Sequence, residues 1–385
     1  MAGSDVIPFT ISAPAQNELP YLSEALRTRK LSGDGPFTQR CHAWLKRHHH
    51  TSGALLTASG TAALELSCIL TNVQPGDEVI MPSYTFSSTA NAVVLRGGVP
   101  VFVDVEPHSM NLDPALLDQA LTSRTKAILP IHYAGVVADM DPIMAFARKH
   151  GLIVIEDAAQ SLGSTYKGTP AGMIGDCAAI SFHETKNIVC GEGGAFITRR
   201  ADFMERAEII REKGTNRSQF IAGLVDKYTW VDMGSSYLPS ELQAAVLMAQ
   251  FEAMDGFTAR RLEIWQRYYE AFAELETLGH LSRLHPADHS QHNAHIFAVL
   301  LGEQHDRAEV LKALLARGVL AVFHYIPLHS APAGLAHGRV AGPMDVTDRA
   351  GAQLIRLPLY ADLRDDQVEQ VIASLTEVLT AKSVV

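Results

Sequence analysis

The 385-residue chain lacks an excess of positive charge: 32 Lys and Arg stand against 42 Asp and Glu, a formal net charge of −10. A broad basic face for nucleic acid is therefore not expected, although a local basic pocket for a phosphorylated small molecule remains open. Cysteine is scarce. The four residues Cys41, Cys68, Cys177 and Cys190 form no C-x-x-C pair, and they read as free thiols of a reducing compartment. No apolar run is long enough to span a bilayer. The opening stretch "MAGSDVIPFT" has neither a basic n-region nor an apolar h-region, so a cytoplasmic protein without a signal peptide or membrane contact is expected. Tandem repeats and low-complexity linkers are also missing. The run His48-His49-His50 has no helical or strand spacing to other ligands, and it reads as a solvated helix end rather than a metal site.

What is present is a globular composition, with 47% hydrophobic and 19% charged residues, in a chain long enough for two unequal domains. The first half alternates short Val- and Ile-rich runs with amphipathic segments. "DEVIMPSYTF", "VPVFVDV", "KAILPIHY", "LIVIEDAA", "CAAISFH" and "GAFIT" read as strands, and "MDPIMAFARKHG" as a helix with Pro near its start and Gly just past its end. Such alternation predicts a mainly parallel α/β sheet covered by helices on both faces. Ligands of these sheets gather at the carboxyl ends of the strands, which places "SYTF", "IHYAG", "EDAAQ" and "SFHETK" on one side. From about Pro239 a long helical pattern begins, with a break or bend expected near Gly256. A smaller α/β unit follows: "HNAHIFAVLL", "DRAEVLKALLARG", "LAVFHYIPLH" and "DDQVEQVIASLTEVLT". The expected division is a large domain over residues 1–255 and a small one over 256–385.

Chemistry is carried by a few residues at those strand ends. Lys186 is a lone cation between two apolar runs and precedes the cluster Gly191-Glu192-Gly193-Gly194. It reads either as a solvated turn lysine or as an amine consumed by a cofactor. Glu156-Asp157 closes an apolar strand. Side-chain alternation turns one of the two toward the strand-end crevice, while Asp157 reads equally well as a helix N-cap. Ser59-Gly60-Thr61 opens a helix and could present backbone N–H groups to an anion, or could be an ordinary cap. Ser181 could add a hydroxyl. Phe86 follows a strand and reads as a stacking platform or as core.

Together and in this order, "ASGTAAL", "SYTF", "VIEDAAQ", "SFHETKN" and "GEGG" resemble the nucleotide-sugar aminotransferases, fold-type I enzymes of the aspartate aminotransferase superfamily that use pyridoxal 5′-phosphate (PLP). More narrowly, "GDGPFTQRC", "GDEVIMPSYTFSSTANA", "HYAGV", "REKGTNRSQF" and "FHYIPLH" resemble the members that aminate the 4-keto carbon of a dTDP-4-keto-6-deoxy sugar, with L-glutamate as donor and 2-oxoglutarate as by-product. The resemblance implies that Lys186 links to the cofactor and that Asp157 faces the pyridine nitrogen. Gly60, Thr61 and Ser181 would then hold the phosphate, Phe86 would stack on the ring, and Gln160 would lie near the phenolic oxygen. It also implies a homodimer with shared sites, in which Ser236 stands where relatives often carry an asparagine that reaches the neighbouring subunit's phosphate. Lys213 and Arg217, and His324, Tyr325 and His329 at a strand end of the small domain, are the implied substrate contacts. Arg211 reads as a solvated helix end. A sugar dehydratase of the same superfamily would carry histidine in place of Lys186. A non-catalytic scaffold that binds PLP or a nucleotide sugar is the rival from outside enzymes.

Overall fold

The computed structural model describes residues 6–381; the first five residues of the opening stretch lie outside that range. An eight-stranded sheet dominates. From one edge its order is Gly53–Thr57, Gly194–Thr198, Cys177–Ser181, Ile153–Asp157, Thr125–Ile128, Glu78–Pro82, Val99–Val103 and Arg339–Val340. Only Gly194–Thr198 runs against the others. All six expected strands are present, and Gly53–Thr57 adds a seventh just before the small-residue turn at Ser59.

Side-chain alternation divides the sheet's apolar residues between two helical layers. Leu55, Cys177, Ala179 and Phe196 pack with the helices Gly60–Leu70 and Ala201–Arg211. Leu56, Ala178, Ile180 and Ile197 pack on the other face with Pro36–His48 and the first half of Glu241–Ala271. This doubly covered, mainly parallel sheet is the fold-type I arrangement.

The helix Glu241–Ala271 is continuous through Gly256, so the expected break is not there. A lone exposed helical glycine costs only about 1 kcal/mol, and both flanks are anchored. Met248, Phe251 and Met254 belong to the core against the large sheet, while Ile264, Trp265 and Tyr268 belong to a second core. That second core lies on a three-stranded antiparallel sheet, Leu281–Arg283, Phe297–Leu301 and Leu354–Leu357, covered by Arg307–Ala316 and Asp365–Thr380. Two segments cross over: Ile7 joins the small core, and Arg339–Val340 returns to the edge of the large sheet. "LAVFHYIPLH" is not a strand. It is held by isolated bridges, Ile7 to Val319 and Val322 to Arg356, followed by the short turn of helix Leu328–Ser330.

Candidate active site

The strand Ile153–Asp157 ends in two buried carboxylates that point in opposite directions. Glu156 turns into the scaffold. It accepts from the backbone N–H groups of Gly172 (2.9 Å), Ile174 (2.7 Å) and Gly175 (2.6 Å), and its Oε2 lies 2.8 Å from His132 Nε2. Because His132 Nδ1 accepts from the Ala138 N–H, Nε2 is the donor. Asp157 turns into the crevice at 5% exposure. It accepts from Thr89 Oγ1 (2.9 Å) and from the Ala159 N–H (3.2 Å). No helix follows it, so the cap reading falls away. Burial pushes its carboxyl above the ordinary range, opposed by the Thr89 and Ala159 donors and by the Lys186 charge.

Lys186 lies in the loop between Cys177–Ser181 and Gly194–Thr198. Backbone bonds pin that loop, with Phe182 N–H to Gly193 O (2.8 Å), Cys190 N–H to Phe182 O (2.9 Å) and Glu184 N–H to Gly191 O (3.0 Å). The next residue, Asn187, donates to Asn293 O and accepts from His295 Nδ1, both at 2.9 Å. Nζ of Lys186 itself makes no hydrogen bond or ion pair among the described residues. Burial lowers its pKa from 10.5 to about 8; the Asp157 charge works against that shift and the Arg356 charge adds to it.

Facing the lysine loop is the start of the helix Gly60–Leu70. Ser59 caps it, accepting from Ala62 N–H at 3.0 Å, while the N–H groups of Gly60 and Thr61 have no acceptor among the described residues. Two glycines keep the strand ends close to it. A Cβ on Gly194 would lie 2.3 Å from Ser59 O and 2.5 Å from Gly60 N, and a Cβ on Gly60 would lie 2.8 Å from Ser181 Cβ. The last glycine of the "GEGG" cluster, Gly194, is thus required by the approach of this helix start. Thr61 Oγ1 and Ser88 Oγ are 2.7 Å apart, which adds a hydroxyl that the sequence reading missed. Phe86 is 60% exposed and its ring is 6.4 Å from that of Tyr325, so it is not core.

The family-model comparison matches residues 13–376 to the DegT/DnrJ/EryC1/StrS aminotransferase family. The chain belongs to this family. The GDP-perosamine synthase of Caulobacter vibrioides is 35% identical over 382 residues, which cover 98% of this chain and all of that one. Among solved structures, S. venezuelae DesV in complex with a ketimine intermediate superposes with a TM-score of 0.87 at 31% identity, covering 95% of each chain. The PLP form of the sugar aminotransferase Spr1654 from Streptococcus pneumoniae gives 0.88 at 26% identity, covering 97% of this chain and 98% of that one.

The protein is therefore an enzyme, a nucleotide-sugar aminotransferase, and PLP is its cofactor. The chain's own geometry fits that group. An unpaired helix start and two hydroxyls suit a phosphate, an exposed aromatic ring suits stacking, and a buried carboxylate and an unbonded lysine amine remain for the two ends of the ring. Gln160 is fixed beside them: its Oε1 accepts from Ala134 N–H (2.8 Å) and its Nε2 donates to Tyr325 OH (2.9 Å). Tyr325 stacks on His324 with ring centroids 3.6 Å apart, and His324 Nδ1 lies 2.6 Å from Tyr133 OH. His324 and Tyr325 thus join the site, together with Tyr84, Tyr133 and Arg356, none of which the sequence reading named.

The other expected contacts have these partners. Both ring nitrogens of His329 have protein partners, Ser83 Oγ at 2.8 Å and Asp348 at 3.2 Å, so it ties two segments together. Arg217 pairs with Glu212 at 2.8 Å. Lys213 is exposed, in a left-handed turn (φ 64°) whose N–H donates to Ser235 O. Ser236 is exposed beside it, and the next carbonyl, that of Tyr237, accepts from Ala58 N–H at 2.7 Å. Arg211 is not solvated. It is buried, donates to both oxygens of Asp34 (2.7 and 2.9 Å) and reaches Leu56 O, a pairing that spans too much sequence to be seen in a helix-end pattern. The histidine run is not a solvated end either, since His49 is buried against Leu45 O and His48 stacks on Trp44.

Proposed function

We propose that the enzyme aminates the 4-keto carbon of a nucleoside-diphosphate 4-keto-6-deoxyhexose, with L-glutamate as donor. The observation that carries this reading is that Lys186 and Asp157 lie near enough for each charge to act on the other, with an unpaired helix start against the end of the strand Cys177–Ser181. When bound, PLP supplies an electron sink for the carbanion that forms at the donor's α-carbon. Asp157, kept in place by Thr89 and the Ala159 N–H, holds a proton on the ring nitrogen. Gly60, Thr61, Ser88 and Ser181 hold the phosphate, and Phe86 covers the ring. The Lys186 amine, at a pKa of about 8, takes a proton from the donor's α-carbon and later returns one to the sugar's C4.

The motif resemblance favours dTDP as the carrier and the galacto (axial) amine, with the gluco epimer requiring only a turned sugar. The name of the Caulobacter relative favours a GDP sugar as the second reading. Lys213, Arg217 and Ser236 are the proposed contacts from the turn at residues 213–236, and a homodimer is the proposed working unit. Its support is the exposed apolar edge of the same segment, where Ile221, Leu224 and Trp230 are 68%, 75% and 76% exposed. We place the domain boundary near residue 255, within the long helix. Among the described residues no helix is long and apolar enough to cross a membrane, and cytoplasmic location is part of this proposal.

The test is to supply L-glutamate with dTDP-4-keto-6-deoxyglucose and, separately, with GDP-4-keto-6-deoxymannose, and to identify the products by NMR. A 4-amino sugar from either supports the reading and selects the nucleotide. Amination at another carbon, or of neither sugar, contradicts it.

A further inference from the structure

The stretch "HNAH", residues 292–295, just before the strand Phe297–Leu301, is neither helix nor strand. Ala294 in it has a φ of 50°, in the left-handed region where Cβ crowds an L-residue. Two side chains impose that shape. Arg261 of the long helix donates from Nε to Ala294 O (3.1 Å) and from Nη2 to His295 O (2.5 Å), and His292 Nδ1 accepts from Ala294 N–H (3.2 Å). Arg261 is buried and has no ion pair among the described residues. A left-handed alanine and a buried guanidinium spent on two carbonyls are each unfavourable by themselves, and such costs gather where a site needs a fixed geometry.

This turn reaches the site from two directions. Asn293 Nδ2 donates to Gln160 O and Leu162 O, both at 2.9 Å, in the segment that follows Asp157. Asn293 Oδ1 is buried without a partner, and a Cβ on Gly135 would collide with it. On the other side, Asn293 O accepts from Asn187 Nδ2 and His295 Nδ1 donates to Asn187 Oδ1, both at 2.9 Å. The sense of the second bond is fixed, because an amide whose Nδ2 donates to a carbonyl has only an acceptor left for the ring. Burial, and after it the Lys186 charge, hold the His295 imidazole well below its ordinary pKa of 6.5, so it stays neutral with its proton on Nδ1. One turn thus takes both polar groups of the residue beside Lys186 and also grips the chain just past Asp157.

We propose that His295 is a positioning residue for amination: its Nδ1–H, acting through Asn187, sets where the Lys186 amine stands, and Arg261 holds the turn that presents it. The inference rests on the proposed role of Lys186 as the amine that moves the proton. Misplacing such a group by about 1 Å costs about a hundredfold in rate. A turn that only joined the two sheets would leave the amine and its rate unchanged when this one N–H is removed from a folded protein.

The glutamate half-reaction of the holoenzyme is followed by stopped flow, and amine labelling of the apoprotein is followed over a pH series, in wild type, His295→Phe, His295→Asn and Asn187→Leu. His295→Phe should slow the half-reaction at saturating L-glutamate about ten- to a hundredfold, while the Kd for L-glutamate changes by less than about threefold. The labelling midpoint of Lys186 should rise by about one pH unit, from near 8 toward the ordinary 10.5, because a released side chain is better solvated. His295→Asn, whose Nδ2–H can take the place of Nδ1–H, should recover most of the rate and of the midpoint. Asn187→Leu cuts the same link from the loop side and serves if the Phe variant does not fold. It should match the slowed rate, and the double variant should be no slower than either single one. An unchanged half-reaction in the folded variants, a loss confined to L-glutamate binding, an unmoved midpoint, an Asn variant as slow as the Phe variant, or additive losses would each overturn this inference alone. Amination by Lys186→Ala would overturn the role of Lys186 on which it rests.

Discussion

The two ends of the large sheet treat charge differently. At the amino ends of the parallel strands, charges are neutralised within the protein. Glu78 is fully buried yet meets Arg339 (2.7 Å), Arg124 and the Thr122 hydroxyl (2.7 Å), and Asp176 meets Arg200 at 3.2 Å. At the carboxyl ends, Lys186 has no ion pair among the described residues, nor has Arg356 of the small sheet, and Asp157 has only neutral donors within hydrogen-bond reach. The same partition divides neighbouring residues, since Glu156 is saturated by the scaffold and Asp157 is not. A charge left unpaired in a buried place lowers stability unless a ligand completes it. The end that carries such charges is the end where ligands are handled.

Variants at the carboxyl end should remove chemistry and spare the fold, and the largest effect is expected at Lys186. Lys186→Ala should lower amination by more than about 10⁴-fold, because no neighbouring amine replaces it. The melting temperature should stay near that of the wild type, since Nζ makes no bond that folding depends on. Next comes Asp157→Asn, which should slow the glutamate half-reaction by about 10²- to 10⁴-fold in stopped-flow absorbance while cofactor is retained. An unaltered half-reaction would reduce Asp157 to scaffold.

Variants at the amino end should do the reverse. Arg339→Met should cost about 3–5 kcal/mol in urea unfolding, because it leaves Glu78 buried with less compensation, with no change in the half-reaction of the folded enzyme. Burial alone would raise the Glu78 pKa, but its hydrogen bonds to Arg339, Thr122 and Arg124 outweigh this and hold it at about 2, below its ordinary 4.5. Its contribution to stability is therefore complete above about pH 4.5 and is lost as pH falls toward 2. Glu78→Gln should flatten that part of the acid-unfolding curve.

The smallest effect is a shift of titration midpoint. Amine labelling of the apoprotein followed by mass spectrometry should find Lys186 reacting with a midpoint near pH 8 and gaining reactivity above it, as the neutral form grows. Asp157→Asn should move that midpoint down and Arg356→Met should move it up, because the two charges act on the amine in opposite senses.

Much of this end was legible from short-range pattern. The apolar runs with their Gly and Pro borders gave the strands, and the motifs in their order carried a resemblance that implied one shared site for Lys186, Asp157, Gly60 and Phe86. What escaped depended on distant partners. The role of Arg211 depends on Asp34, 177 residues away, and that of His329 on Ser83. Nothing in the local stretch "LIRLPLY" marks Arg356. Its importance follows from the face it occupies, which is set by pairing with Phe297–Leu301 and not by its neighbours in sequence. The continuity of the helix at Gly256 was likewise decided by the two cores that hold its flanks.

The most direct test of the account is to reduce the holoenzyme with borohydride, digest it and map the cofactor. The account predicts a single labelled peptide, the one containing Lys186, and no label in Lys186→Ala. A label on any other lysine, or equal labelling of the variant, would contradict it.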